Sequence, residues 1–461
     1  MEPKTVILQD LLSETRDGDW GEEIQSAGYI PYKVIRGTDF PSVRYGNLSS
    51  IPIRYISESS RSRRTLQAND IIIETAGGSR EHPTGRTLLV TERLLADSNF
   101  PITCASFCRF LRVDHRLADP QYVYWYLQYL YEIGVMWQHQ VQHTGLSRFQ
   151  YTRFATTERI PVPDPFQQHA IVSILNTLDD KIELNRQMNK TLEAIAQALF
   201  RSWFVDFDPV CARMEGRQPY GMDAETAALF PDSFEDSVLG EIPKGWRVGC
   251  LGDIADNSRL GVHPEDIPFN TAYIGLEHMP RKSIALSEWG NAEEVASNKF
   301  WFHQGDILFG KLRPYFHKVG VAVQDGVCST DILVIVPQSP EWYGSVLSHI
   351  SSVEFINYAN ASSDGTRMPR TNWHDMKRYK IAMPSKDIAQ IFSEKIKLFV
   401  LAIRSNILQS RTLADIRNAL LPKLLSGEIR VKDAEKRQYV KSCVKVQGPV
   451  EPELELAWSA C

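Results

Sequence analysis

Ile160-Pro-Val-Pro-Asp-Pro-Phe-Gln-Gln-His-Ala-Ile-Val-Ser-Ile-Leu-Asn-Thr-Leu178 opens the stretch whose reading decides the architecture. Asp164 can cap a helix, and Pro165 suits the first helical position, where a missing N–H costs nothing. Apolar residues then recur at Ile171, Leu175, Leu178 and Ile182. After a polar step at Asn185 and Asn189 they resume at Leu192, Ala196, Leu199 and Trp203. Steps that alternate between four and three residues make a heptad seam.

The same plan returns without a gap. Ile381-Ala-Met-Pro384 aligns with Ile160-Pro-Val-Pro163. That offset carries Ile171 onto Phe392, Leu175 onto Ile396, Leu178 onto Phe399, Ile182 onto Ile403, Asn185 onto Asn406 and Leu192 onto Leu413. Ser385 can cap the second helix and Gly427 can end it, while Arg417 interrupts its seam. Upstream, Asn69-Asp-Ile-Ile72 echoes Gly305-Asp-Ile-Leu308, and Thr144-Gly-Leu-Ser147 echoes Asp364-Gly-Thr-Arg367. The chain therefore reads as two copies of one unit, a globular module followed by a long helix.

Each helix covers roughly 38 residues, about 55 Å. A seam left in water forgoes about 25 cal/mol for each Å², and the other helix is the obvious cover. Antiparallel pairing brings Asn185 and Asn189 opposite Asn406 and Ser410, a polar step that fixes register and direction. The competing arrangement packs each helix on its own module.

Modules at residues 1–158 and 244–383 are rich in short β-like runs such as Asp70-Ile-Ile-Ile-Glu74 and Ile332-Leu-Val-Ile-Val336, with helical patches at Tyr122–Ile133 and Trp342–Tyr358. The fold class is α+β, two mixed modules separated by two long helices, 159–204 and 384–430, in an antiparallel coiled coil with a pseudo-twofold repeat. Residues 205–243 hold eight or more carboxylates against Arg213 and Arg217 and read as an acidic, partly irregular linker, which Ala227-Ala-Leu-Phe230 can anchor to a helix. Residues 431–461 read as a tail.

At 461 residues and 43% hydrophobic, the chain can bury real cores. No window approaches 18 apolar residues, which predicts no membrane span, and the N-terminus lacks a secretory pattern. Seven cysteines, an odd number, suit a reducing cytoplasm rather than a disulfide scaffold. A net charge of −5 argues against a basic coat but allows a local basic groove. There is no P-loop, no Gly-x-Gly-x-x-Gly after a strand, no Gly-x-Ser-x-Gly and no His-Glu-x-x-His. The Asp/Asn-Pro-Pro-Tyr/Phe run that holds a flipped base is missing, Asp206-Phe-Asp-Pro-Val210 coming closest. Cys104 and Cys108 lack a second pair to complete a metal site. No catalytic or metal residue is expected.

Polar segments between the β-like runs carry the candidate chemistry. In the first module they hold Arg61, Arg63 and Arg64; Arg80 and Arg86; and Gln142, His143, Ser147 and Arg148. In the second they hold Lys311, Arg313 and Tyr315, then Thr366, Arg367, Arg370 and Asn372. Arginine forks suit guanine, Gln and Asn suit adenine, and Ser, Thr and Lys suit phosphate. Singly, each reads as a solvated loop side chain. Recurrence at matching places in both copies is what points to DNA.

Leu199-Phe-Arg-Ser-Trp-Phe-Val-Asp-Phe-Asp-Pro-Val210, Ala227-Ala-Leu-Phe-Pro-Asp-Ser-Phe-Glu-Asp-Ser237 and Leu239-Gly-Glu-Ile-Pro-Lys-Gly-Trp246 make the chain resemble the specificity subunit of type I restriction-modification enzymes. Leu420-Leu-Pro-Lys-Leu-Leu-Ser-Gly-Glu-Ile429 fits as well, while the first module lacks the usual Pro-x-Gly-Trp opening. The resemblance implies two target recognition domains, each reading half of a split double-stranded DNA sequence, with the coil setting the gap. It implies two adenine-methylating modification subunits and two motor-nuclease subunits as partners. S-adenosylmethionine, ATP and Mg²⁺ would belong to those partners, with no cofactor in this chain. The alternative is an orphan or stand-alone DNA-binding protein of the same fold.

Overall fold

Two helices of 40 residues, Pro165–Phe204 and Lys386–Leu425, dominate the computed structural model, which describes residues 4–77, 83–143, 146–363 and 368–431. The first begins at Pro165, with Gln167 N donating to Asp164 Oδ1 at 3.0 Å. The second begins after Ser385, whose Oγ accepts from Ile388 N at 3.4 Å. Beyond its end Gly427 sits at φ +75°, in the left-handed region where a Cβ is penalised. Among the described residues no helix is long and apolar enough to cross a membrane.

The chain divides into two compact units. One runs through Glu183 and takes up the chain again at Leu413; the other is built on Leu184–Thr412. Each unit thus contains part of both long helices.

In the first unit a four-stranded antiparallel sheet has the order Leu12–Asp17, Cys108–Val113, Ile71–Glu74, Thr87–Leu89. Beside it Tyr29–Ile35 pairs parallel with Ile102–Cys104 and antiparallel with Ile53–Ser57. Lys4–Ile7 closes the module against Arg159–Val162. The helix Pro120–Glu132 buries Tyr122, Val123, Trp125, Leu127 and Leu130 in the core.

The second unit repeats this topology. Its four-stranded sheet runs Ala255–Ser258, Ile332–Pro337, Ile307–Gly310, Val319–Val321, again first, last, second, third in chain order. Ala272–Ile274 pairs parallel with Gly326–Cys328, and Arg247–Cys250 closes against Lys380–Met383. The echo between Asn69-Asp-Ile-Ile72 and Gly305-Asp-Ile-Leu308 has a physical cause. Asp70 accepts from Gln67 N at 2.7 Å and Asp306 from His303 N at 2.8 Å, each turn feeding a buried central strand.

The long helices pair antiparallel within each unit. In the first, Ile171, Val172 and Leu175 share a core with Leu421, Leu424 and Leu425, and Leu178 and Ile182 share one with Leu413. In the second, Asn185 Nδ2 donates to Gln409 Oε1 at 2.8 Å and to Ser410 Oγ at 3.2 Å. Farther on, Leu192 packs beside Ile403 and Ile407, and Phe200 lies 6.3 Å from Phe392. Covering an apolar seam explains the pairing, since each buried Leu or Ile contributes about 1.5–3 kcal/mol.

Residues 205–243, read as an acidic, partly irregular linker with an anchor at Ala227–Phe230, carry regular elements of their own. They form the helices Asp208–Met214 and Ala224–Ala228 and a hairpin, Phe234–Ser237 with Gly240–Pro243. Val210, Phe230 and Ile242 are buried with Trp203, Phe204 and Trp246 in the main core of the second unit. Phe230 meets Trp203 edge-on at 5.2 Å, and Arg213 donates to the carbonyls of Ala227 and Ala228 at 3.2 and 2.9 Å. The apolar run ending at Phe230 thus packs on the long helix, while the other isolated aromatics, buried against distant partners, leave no local period. The 431–461 tail lies outside the described residues from 432 onward.

Candidate nucleic-acid interface

Arg61, Arg63 and Arg64 stand on a helix, Glu58–Arg64, rather than in a loop. Ser57 caps it by accepting from Ser60 N at 3.4 Å. Arg64 is spent on the fold, its Nε donating to Asp17 O at 2.9 Å and its Nη1 to Ser60 Oγ at 2.8 Å. Arg61 and Arg63 are exposed and line an open cleft of about 510 Å³ with Tyr32, Thr65, Gln67 and Arg112. Arg112 was not picked out from the sequence. It grips Asp70 with two donors at 2.8 Å and Glu14 with a third at 2.6 Å, so its charge is answered from within the fold.

Arg86 is similarly committed. Its Nε and Nη2 reach the buried Glu74 at 2.9 and 2.8 Å. Gly37 is required there, because a Cβ would sit 2.2 Å from Glu74 Oε1. Gln142 and Ser147 face each other across the hairpin Gln140–His143 with Leu146–Phe149, whose second strand continues onto Ala76–Gly77. Gln142 and Arg148 are exposed and Ser147 is buried. Arg80 and the side chain of His143 lie outside the described residues, as do Thr366 and Arg367.

In the second module the basic residues gather around one strained turn. Arg313 at φ +51° and His317 at φ +51° flank the short turn Pro314–Phe316. Non-glycine residues in the left-handed region cost free energy and persist only where their surroundings hold them. Here Arg313 N donates to Pro369 O at 2.7 Å and Lys282 N to His317 O at 2.9 Å. Burial lowers the His317 pKa, so the ring is neutral near pH 7, and its Nε2 lies 2.9 Å from Ser351 O. The Arg281 guanidinium lies 4.1 Å from the Phe316 ring centre and that of Arg313 5.9 Å. Tyr315 is half-exposed and meets Phe316 edge-on at 4.7 Å. Among the described residues, Arg313 Nε is buried without a hydrogen-bond partner.

Lys311 and Arg370 share Asp331, at 4.0 and 3.1 Å. Burial lowers the Lys311 pKa. Asn372 acts as a helix cap, a structural duty that its sequence reading as a base contact overlooked. Its Oδ1 accepts from Asp375 N at 3.0 Å and its Nδ2 donates to Asp375 Oδ2 at 2.7 Å. The structure therefore brings together Lys311, Arg313, Tyr315 and Arg370 and adds Arg281, whose place beside Lys282 in a basic pair was the available signal. Stacked arginines and aromatics with spare donors are suited to phosphates and base edges.

A family model described as "Type I restriction modification DNA specificity domain" matches residues 31–194. A type I restriction enzyme HindI specificity subunit from Haemophilus influenzae is 30% identical over 320 residues, which are 58% of this chain and 68% of that protein. The chain belongs to the type I restriction-modification specificity subunits. The type I restriction enzyme MjaIX specificity subunit from Methanocaldococcus jannaschii is 26% identical over 416 residues, 86% of this chain and 88% of its own length. The solved S subunit from M. genitalium shares the fold at 15% identity, with a TM-score of 0.51 over 92% of this chain and 99% of that one. This specificity subunit serves a type I system as its non-catalytic DNA-recognition component.

Proposed function

We propose that the chain reads a split double-stranded DNA target, one half with each module, and that the paired helices set the unread gap. It directs adenine methylation by two partner modification subunits, and two motor-nuclease subunits join for cleavage, in the cytoplasm. S-adenosylmethionine, ATP and Mg²⁺ are held by those partners. The observation that carries the reading is the repeat. Two modules of one sheet order each bear exposed arginines, and each feeds a helix that pairs antiparallel with the other. A repeated reader suits a target read in two halves, as dimer geometry sets half-site spacing elsewhere.

Co-expression with a modification subunit, followed by single-molecule sequencing for methyladenine, tests it. The expected motif has two specified halves and a fixed unspecified gap. An uninterrupted motif contradicts the reading.

A further inference from the structure

In the first unit one carboxylate joins three elements. Asp179 of the first long helix accepts from Arg44 Nη2 at 2.8 Å and Arg44 Nε at 3.2 Å, and its other oxygen accepts from Arg417 Nη1 on the second long helix. Arg44 closes the short helix Phe40–Val43 of the globular module and is steadied there by Gln128 at 3.4 Å and by the Trp125 ring at 5.6 Å. The three charged side chains are only 13–21% exposed. Burial alone would raise the Asp179 pKa, but the two guanidiniums outweigh it and hold it below the usual carboxylate range. Arg417, which breaks the apolar seam, does so to complete this junction.

The second unit has a counterpart. Glu193 stands two heptads past Asp179 on the same helix, each acid one residue beyond a seam leucine, Leu178 or Leu192. It is 7% exposed, and its Oε1 accepts from Ser283 Oγ at 2.7 Å and from Ala285 N at 3.2 Å in the second module. Arg404 of the second long helix adds a bond from Nε to Val323 O at 2.8 Å. Each acid reaches its own module, Asp179 while also bonding Arg417 across the helix pair and Glu193 with no bond to the other helix among the described residues. Burial raises the Glu193 pKa, unlike that of Asp179, but either acid bonded to its module resists sliding, because any shift leaves a buried polar group without its partner.

We infer that Asp179 and Glu193 are positioning residues that lock the seating of each module on the helix pair, so that targets with a gap one base pair too long or too short are rejected. A gap altered by one base pair moves a half-site by about 3.4 Å. A module can follow it only by giving up these bonds. The inference rests on the split-target reading above.

The test uses the chain with its modification subunit and measures methyl transfer to synthetic duplexes carrying the cognate gap or a gap changed by one base pair. Arg44→Ala, Asp179→Asn and Glu193→Gln are expected to keep both half-sequences while raising methylation of the altered gaps about tenfold relative to the cognate gap, equivalent to about 1.4 kcal/mol. Arg44→Ala leaves the Asp179–Arg417 bond between the helices, and Ser283→Ala leaves Glu193 intact. These two variants decide the matter should either acid variant fail to fold. Wild-type gap preference in complexes that still methylate overturns the inference. So does an equal loss at every gap accompanied by a lower melting temperature, which would make the bonds merely structural. A wild-type motif without a gap overturns the split-target reading and the inference with it.

Discussion

Asn406 Nδ2 donates to Asn189 Oδ1 at 2.9 Å in the second unit, placing an amide pair in the polar step of the helix seam beside Asn185 and Ser410. Asn189 is buried and Asn406 half-buried, and a buried amide left without its partner costs about 1–3 kcal/mol. Asn189→Leu is therefore expected to destabilise the protein by about that amount. Adding Asn406→Leu should recover most of it, because two leucines complete the seam. Denaturant melts of the singles and the double measure the coupling; additive losses would mean that the two amides do not interact.

Phe230 is 1% exposed within the segment that its sequence presents as linker. Phe230→Ala should cost about 3–5 kcal/mol through lost burial and a cavity beside Trp203. A solvated linker residue would stay within about 0.5 kcal/mol. Equilibrium unfolding distinguishes the two.

His349 is buried against Phe200 at 4.8 Å, and burial lowers its pKa to about 4. The fold therefore favours the neutral ring. The sign follows from proton binding: between the unfolded value of about 6.5 and the folded value, the unfolded chain binds more protons. This stabilisation is complete above about pH 6.5 and is lost as the pH falls toward 4, on the order of 3 kcal/mol in all. His349→Phe should flatten that part of the stability profile between pH 7 and 4. An unchanged slope would mean that the imidazole titrates normally.

Arg313 and Arg61 should differ in what they affect. Arg313→Ala is expected to relax one position of the half-site read by the second module and to leave the other half unchanged, with a loss of about 1–3 kcal/mol. Arg61→Ala, if it holds phosphate, should weaken binding to all sequences alike and lower the salt slope by about 1. Binding of randomised duplexes at several salt concentrations measures both. Equal loss at the two halves after Arg313→Ala would assign that side chain to phosphate or to the fold.

The long helices were legible because a heptad is a local pattern. Asp164, Pro165 and the Ile171-to-Trp203 seam need only their neighbours to declare a helix. The repeat then supplied the partner, and the two α+β modules followed from short apolar runs between turns. Arg417 looked like a defect because its partner Asp179 lies 238 residues away in the chain. Ala227-Ala-Leu-Phe230 declared an anchor, but its partners Trp203 and Trp246 are distant in the chain and leave no local period. Asn372 illustrates a different difficulty. Asn-x-x-Asp is a capping pattern, yet an amide among basic residues is chemically suited to adenine as well, and only the Asp375 contacts separate the two. Arg86 likewise carries the donors of a base reader, and Glu74 takes two of them.

The ruler role of the helix pair is tested most directly by excising one heptad from each helix, residues 185–191 together with 404–410, and mapping methyladenine produced by the complex. Seven residues account for about 10 Å of helix, close to 3 base pairs of duplex. The account predicts both half-sequences unchanged and a gap about 3 base pairs shorter. A methylated motif with its original gap would contradict it.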